Sequence, residues 1–101
     1  AGLLRHAPRA WAAHVWPVFP IRAADGRRDA LDEALLARGI GTNIHYPVPV
    51  HLQPCYAGRW EEGQYPIAEA LSKALLSLPL DPTHTPGEID RVIEVVRELL
   101  R

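Results

Sequence analysis

The sequence predicts an α/β domain of two layers, a small sheet of two or three strands covered by about three helices. Three observations carry that expectation. Short β-branched or aromatic runs occur at residues 14–22 and 40–46, and LSLPL at 76–80 can form a third short strand. Segments with apolar residues at helical spacing alternate with them and close the chain. The 101 residues, 48% hydrophobic and 23% charged, suffice for one compact core and leave little room for a second.

Residues 1–13 have no clean period, and Gly2, Pro8 and scattered alanines read as a linker or the frayed end of a preceding helix, so the domain proper is residues 14–101. In residues 14–22, Val15, Phe19 and Ile21 share one parity, as in a strand. Pro17 and Pro20 each remove a ladder donor and therefore predict an edge position. Asp25-Gly26 is a turn signal. The following RRDALDEALLARG sets Ala30, Leu31, Ala34 and Leu35 on one helical face, with Arg38 near the negative end of the helix dipole and Gly39 at C′.

Residues 40–46, IGTNIHY, are short, β-branched and preceded by glycine, which reads as a second strand running into the loop PVPVHLQPCYAGRW with prolines at 47, 49 and 54. Pro66 fits the first turn of a helix in which Ile67, Ala68, Leu71, Ala74, Leu75 and Leu78 recur at helical spacing. Its last turn can instead peel away as a strand, LSLPL. Finally, Thr85-Pro-Gly-Glu88 has the form of a capping box with proline at N1, and Ile89, Val92, Ile93, Val96 and Leu100 form an apolar stripe behind it.

The charge balance excludes several classes of partner. A formal net charge of −1 and a pI near 6.6 give no pull toward nucleic acid or anionic lipid. No apolar run approaches the roughly 20 residues that cross a bilayer, so the chain reads as soluble and cytoplasmic. Cys55, the sole cysteine, has no internal disulfide partner and reads as an incidental half-buried thiol.

Most catalytic chemistries find no matching pattern. Histidines stand at 6, 14, 45, 51 and 84 without HxxxH or HExxH spacing, which argues against a metal site, including one made by His45 and His51. Neither a GxSxG elbow nor a glycine-rich phosphate loop is present. Ten of the eleven basic residues are arginine, so Lys73 is the only candidate for amine chemistry, and its place four residues after Glu69 reads as an ordinary exposed ion pair. The segment that stands apart runs from Gly39 to Gln53 and presents His45, Tyr46, His51 and Gln53 on proline-stiffened backbone, which lowers the entropy lost on gripping a ligand.

The run RxxLxxxLxxRGIGTNIHYPxPxHLQPCY, continued by YPIAEALSKALLSLPLxPxxTxxEIDxVIEVVR, resembles the C-terminal portion of the DegT-like sugar aminotransferases. The pieces that match are Arg28 with Leu31 and Leu35, Arg38-Gly39-Ile40, His45-Tyr46-Pro47, His51-Leu52-Gln53-Pro54, Pro66 with Ala68-Glu69, Leu76-Ser77-Leu78-Pro79 and Glu88-Ile89. The resemblance implies the small domain of a fold-type I, pyridoxal phosphate-dependent aminotransferase, a homodimer that moves an amino group from glutamate or glutamine to a nucleotide-linked keto sugar. It carries over His45 and Tyr46, and more weakly His51, as contacts to the sugar-nucleotide substrate.

The family's large domain, which holds the cofactor and its Schiff-base lysine, has no counterpart in these residues. The resemblance therefore implies that this stretch binds no pyridoxal phosphate and is not catalytic alone, and that an exposed apolar surface meant for the large domain drives the isolated piece to self-associate. A rival expectation is a free-standing interaction module built on the same scaffold.

Overall fold

The computed structural model describes residues 3–5 and 7–101. A three-stranded antiparallel sheet in the order β1-β2-β3 is formed by Leu3–Arg5, Phe19–Ala23 and Leu75–Leu78. Helices α1 (Arg28–Ala37) and α3 (Pro86–Leu99) cover one face, while α2 (Pro66–Ala74) and the chain from 43 to 60 lie on the side of Ser77. The α/β class and the three helices agree with the expectation from sequence. Three departures from it have physical causes.

First, residues 3–5, within the stretch read as a linker or helix end, are a strand on β2, with Leu3 opposite Ala23 and Arg5 opposite Ile21. Second, β2 is central although Pro20 lies in it. Ser77 exchanges both of its backbone hydrogen bonds with Asn43 on its far side, at 2.7 and 3.1 Å, so Pro20 faces Ser77 at a non-hydrogen-bonded pair and no donor is missed there. Val15 belongs to no strand and is exposed. Third, residues 40–46 do not form a strand. Ile40 and Ile44 pack on the core and Thr42 donates its hydroxyl hydrogen to Asp32 on α1, as alternation requires, but only Asn43 bridges to the sheet.

The core is small: Ile21, Ala23, Leu31, Leu35, Ile40, Leu76, Val95 and Val96 are buried, with Phe19, Ile44, Leu78 and Val92 packed around them. The turn into α1 uses Asp25 and Gly26, both at positive φ (57° and 69°), closed by Arg27 N to Ala24 O at 3.2 Å. Gly39, at φ 77°, ends the helix. Its N–H reaches Leu36 O at 2.9 Å and that of Ile40 reaches Leu35 O at 3.0 Å, the Schellman pattern, and it brings Ile40 onto Leu35 in the core.

On α3 the capping box is complete, Thr85 Oγ1 accepting from Glu88 N and Glu88 Oε2 accepting from Thr85 N at 2.8 Å. The buried stripe is rotated from the one read in the sequence: Val95 and Val96 are inside, whereas Ile89 and Ile93 stay partly exposed. Thr85→Ala is expected to lower unfolding stability by about 1 kcal/mol, seen as a lower urea midpoint with an unchanged slope.

Candidate functional site

Helix α2 determines the site because its apolar side is not its buried side. Its buried residues are Glu69 and Ser72, while Ile67 is exposed and Ala68 and Leu71 face a cavity. The apolar periodicity therefore marks a surface turned away from the core. Ser72 is buried because its Oγ donates to Glu69 O at 2.8 Å and its carbonyl receives the Arg28 guanidinium at 3.0 Å.

The cavity holds about 860 Å³ between α2 and residues 45–60. His45, Tyr46 and His51, the three residues singled out in the sequence, all line it. His45 is anchored from behind, its Nδ1 2.9 Å from Ser77 Oγ. Tyr46, 71% exposed, meets the His45 ring edge-on at 5.8 Å, across a cis peptide bond. Past Pro47 and Pro49 the chain forms two short 3-10 turns, Val50–Leu52 and Pro54–Tyr56, held in part by Gln53 Nε2 donating to Val48 O at 3.0 Å.

His51 is buried. Its Nε2 is 2.8 Å from Glu69 Oε1, and its ring packs edge-on against Tyr65 at 4.9 Å. Tyr56 and Trp60, themselves edge-to-face at 5.5 Å, continue the wall, and exposed Cys55 also lines it.

Glu69 is the polar centre of this arrangement. Besides His51 it accepts from Gly63 N at 2.8 and 3.0 Å and from Tyr65 N at 3.4 Å. The hydrogen bond with His51 holds its carboxyl below the ordinary glutamate range; burial opposes this, and the Gly63 and Tyr65 amides reinforce it. Glu69 is thus not the partner of Lys73, which instead lies 3.8 Å from Glu62 with both side chains well exposed. A carboxylate satisfied by a buried histidine and backbone donors has no reason to turn outward to a solvated ammonium.

Sequence reasoning missed Glu69, Ser77, Tyr56, Trp60 and Tyr65. The cue to Glu69, Ser77, Tyr56 and Tyr65 was their place in the stretches that carry the family resemblance, since glutamate and serine are residue types that are usually exposed.

The residues present do not fit pyridoxal phosphate. The one lysine is about three-quarters exposed, lies outside the lining of the cavity with His45 and is engaged by Glu62, so it offers no buried amine for an imine. Among the described residues no three His, Cys, Asp or Glu side chains gather for a metal ion, and no helix is long and apolar enough to cross a membrane.

Among the described residues the fold is a small α/β body with a broad, aromatic, open concavity between α2 and residues 45–60. The chain belongs to the DegT/DnrJ/EryC1/StrS aminotransferase family, whose sequence profile matches residues 2–97. It is 49% identical over 85 residues to the dTDP-3-amino-3,4,6-trideoxy-alpha-D-glucose transaminase of Streptomyces venezuelae, covering 83% of this chain and 22% of that protein. The crystal structure of S. venezuelae DesV in complex with a ketimine intermediate matches with a TM-score of 0.92 at 43% identity, over 98% of this chain and 26% of that one. The Bacillus subtilis NtdA structure with bound cofactor PMP matches with a TM-score of 0.75 at 32% identity, over 84% of this chain and 20% of that one. The chain therefore spans about a quarter of the length of the relatives it matches.

Proposed function

We propose that residues 14–101, together with β1, form the small domain of a pyridoxal phosphate-dependent aminotransferase acting on a dTDP-linked keto sugar, the rest of residues 1–13 leading into it from the large domain. In this reading His45 and Tyr46 contact the sugar nucleotide, and His51 contributes its ring edge to the same wall. A large domain outside these residues supplies the cofactor and the Schiff-base lysine, glutamate or glutamine supplies the amino group, and the working unit is a cytoplasmic homodimer. This chain by itself performs no transamination.

The observation that carries the reading is the convergence of His45, Tyr46 and His51 on one cavity beside exposed aromatic and aliphatic side chains. Tyr46, Val48, Val50, Tyr65 and Ile67 leave an apolar rim that a lone domain has no reason to expose and that a cleft-forming neighbour would cover. A radius of gyration of 15.4 Å, against about 13 Å for a compact domain of this length, agrees with a body shaped to pack on another. What these residues do is orient and enclose: the Tyr46 hydroxyl and the His45 ring offer hydrogen bonds to sugar or phosphate oxygens, and the aromatic wall excludes water.

In the complete polypeptide, His45→Ala is expected to raise KM for the dTDP-sugar roughly tenfold, the size of a lost hydrogen bond to a charged group, with a smaller change in kcat; Tyr46→Phe acts in the same direction. Wild-type KM in both variants would remove the site assignment. Failure of the complete polypeptide to transaminate any dTDP-keto sugar would favour the interaction-module reading.

A further inference from the structure

The imidazole of His45 is held by a group that the sugar-nucleotide reading does not assign, Ser77. Ser77 is 6% exposed, sits in the penultimate position of β3, and touches residues 43–45 twice. Its backbone N–H and C=O form the bridge to Asn43, and its Oγ lies 2.9 Å from His45 Nδ1. The first contact fixes the backbone two residues before the histidine, and the second fixes the ring. With both in place the torsions of His45 are bounded at each end by one residue of the sheet.

We propose that Ser77 is a positioning residue that locks His45 through Nδ1 and so commits Nε2 to the ligand in the cavity. Among the described residues Ser77 is the one hydrogen-bond partner of that ring, so Nε2 is not consumed by the fold. A neutral imidazole carries one N–H, and the serine hydroxyl can donate to Nδ1 or accept from it, so Nε2 takes the complementary role, donating when Nδ1 accepts and accepting when Nδ1 donates, while the ring orientation is the same in both cases. His51 makes the contrast, because its Nε2 is taken by Glu69. Each ring thus has one nitrogen held, and on His45 the held one is Nδ1, which leaves Nε2 for the ligand. This inference rests on the reading of His45 as a substrate contact only for its functional arm.

The test has a spectroscopic arm and a binding arm. Long-range ¹H–¹⁵N spectra of this 101-residue chain report the two ring nitrogens of His45 directly. Ser77→Ala is expected to move both resonances toward the averaged values of an unrestrained imidazole. Amide exchange at Asn43 is expected to be unchanged, because that bridge is made by backbone alone. Unmoved His45 nitrogens in Ser77→Ala would overturn the proposal, and so would loss of Asn43 protection, which would mark a merely structural serine.

In the complete polypeptide, affinity for dTDP-3-amino-3,4,6-trideoxy-α-D-glucose is measured by calorimetry in a double-mutant cycle. Ser77→Ala is expected to weaken binding roughly three- to tenfold with His45 present, as for one neutral hydrogen bond, and to have no effect in His45→Ala. Equal weakening in both backgrounds overturns the positioning role. If His45→Ala alone leaves affinity intact, the substrate-contact reading fails, and the nitrogen shifts still decide the lock.

Discussion

Cutting Leu76 back to alanine is expected to remove about 3 kcal/mol of stability, within the 2–5 kcal/mol range for buried leucine, from a domain whose whole margin is of the order of 5–15 kcal/mol. Leu76 is fully buried and stands opposite Ile21 in the pairing of β2 with β3, so its side chain lies between the sheet and the helices that cover it. Among the described residues only eight apolar side chains are buried, so no second layer is available there to collapse into the space. The next residue is Ser77, so the same substitution loosens the strand that holds His45. Urea unfolding followed by circular dichroism would show the midpoint falling with the slope kept. Ile67→Ala, at a position 76% exposed, is the control and is expected to change stability by no more than about 0.5 kcal/mol. Similar midpoints for the two variants would mean that the core lies elsewhere.

How far such a site could be read without coordinates depends on how local its causes are. The capping box at Thr85 and Glu88, the Asp25-Gly26 turn and Gly39 at C′ were legible because each is set by residues within a few positions of one another. Strand β3 was legible as an alternative to one more helical turn, and the structure resolves it in favour of the strand: the α2 backbone turns extended at Leu75 and pairs with β2. Residues 40–46 show the opposite case. Their alternation is real, since Ile40, Thr42 and Ile44 face one way, yet a strand also needs a neighbour along its length, and only Asn43 finds one. The central place of β2 was hidden for a related reason. A proline's cost depends on whether its position in the ladder uses an N–H toward its partner, which the hydrogen bonding of Ser77 to Asn43 decides.

The site divides along the same line. His45, Tyr46 and His51 stand within seven residues on stiff backbone and could be picked out as a group. The residues that hold them could not. Ser77 is 32 positions from His45 and Glu69 is 18 from His51, and both lie in elements whose apolar periodicity conceals a buried polar group. Glu69 was read as the i−4 partner of Lys73 because helix spacing allows it, but spacing does not say which way a side chain turns when a buried histidine and two backbone amides offer more.

Replacing Glu69 with glutamine is expected to release the chain from 51 to 65 from α2 at neutral pH, an effect that wild type shows only in acid. The carboxylate accepts from His51 Nε2, from Gly63 N through both oxygens, and from Tyr65 N. An amide side chain has one acceptor oxygen and would turn its NH₂ toward donors. The direction of the pH effect follows from linkage. The folded state lowers the affinity of Glu69 for its proton, so its contribution to stability is fully present above the ordinary glutamate value, about 4.3, and is lost as pH falls through the depressed folded value. Asp81, Glu88 and Glu98 are lowered in the same direction, by Thr83, Thr85 and Arg38 respectively, so wild type has an acid limb to which four carboxylates contribute. Glu69→Gln is expected to flatten part of that limb and to lower stability at pH 7. The local readout is amide exchange at Gly63 and Tyr65: protected in wild type at pH 7, unprotected in the variant, with the capping amide of Glu88 protected in both. Tyr56 and Trp60 lie on the freed stretch, so the aromatic wall of the cavity loses its place with it. Parallel acid limbs for wild type and Glu69→Gln, or retained protection at Gly63, would show that the loop is held by its own turns and that the buried carboxylate is not what shapes the site.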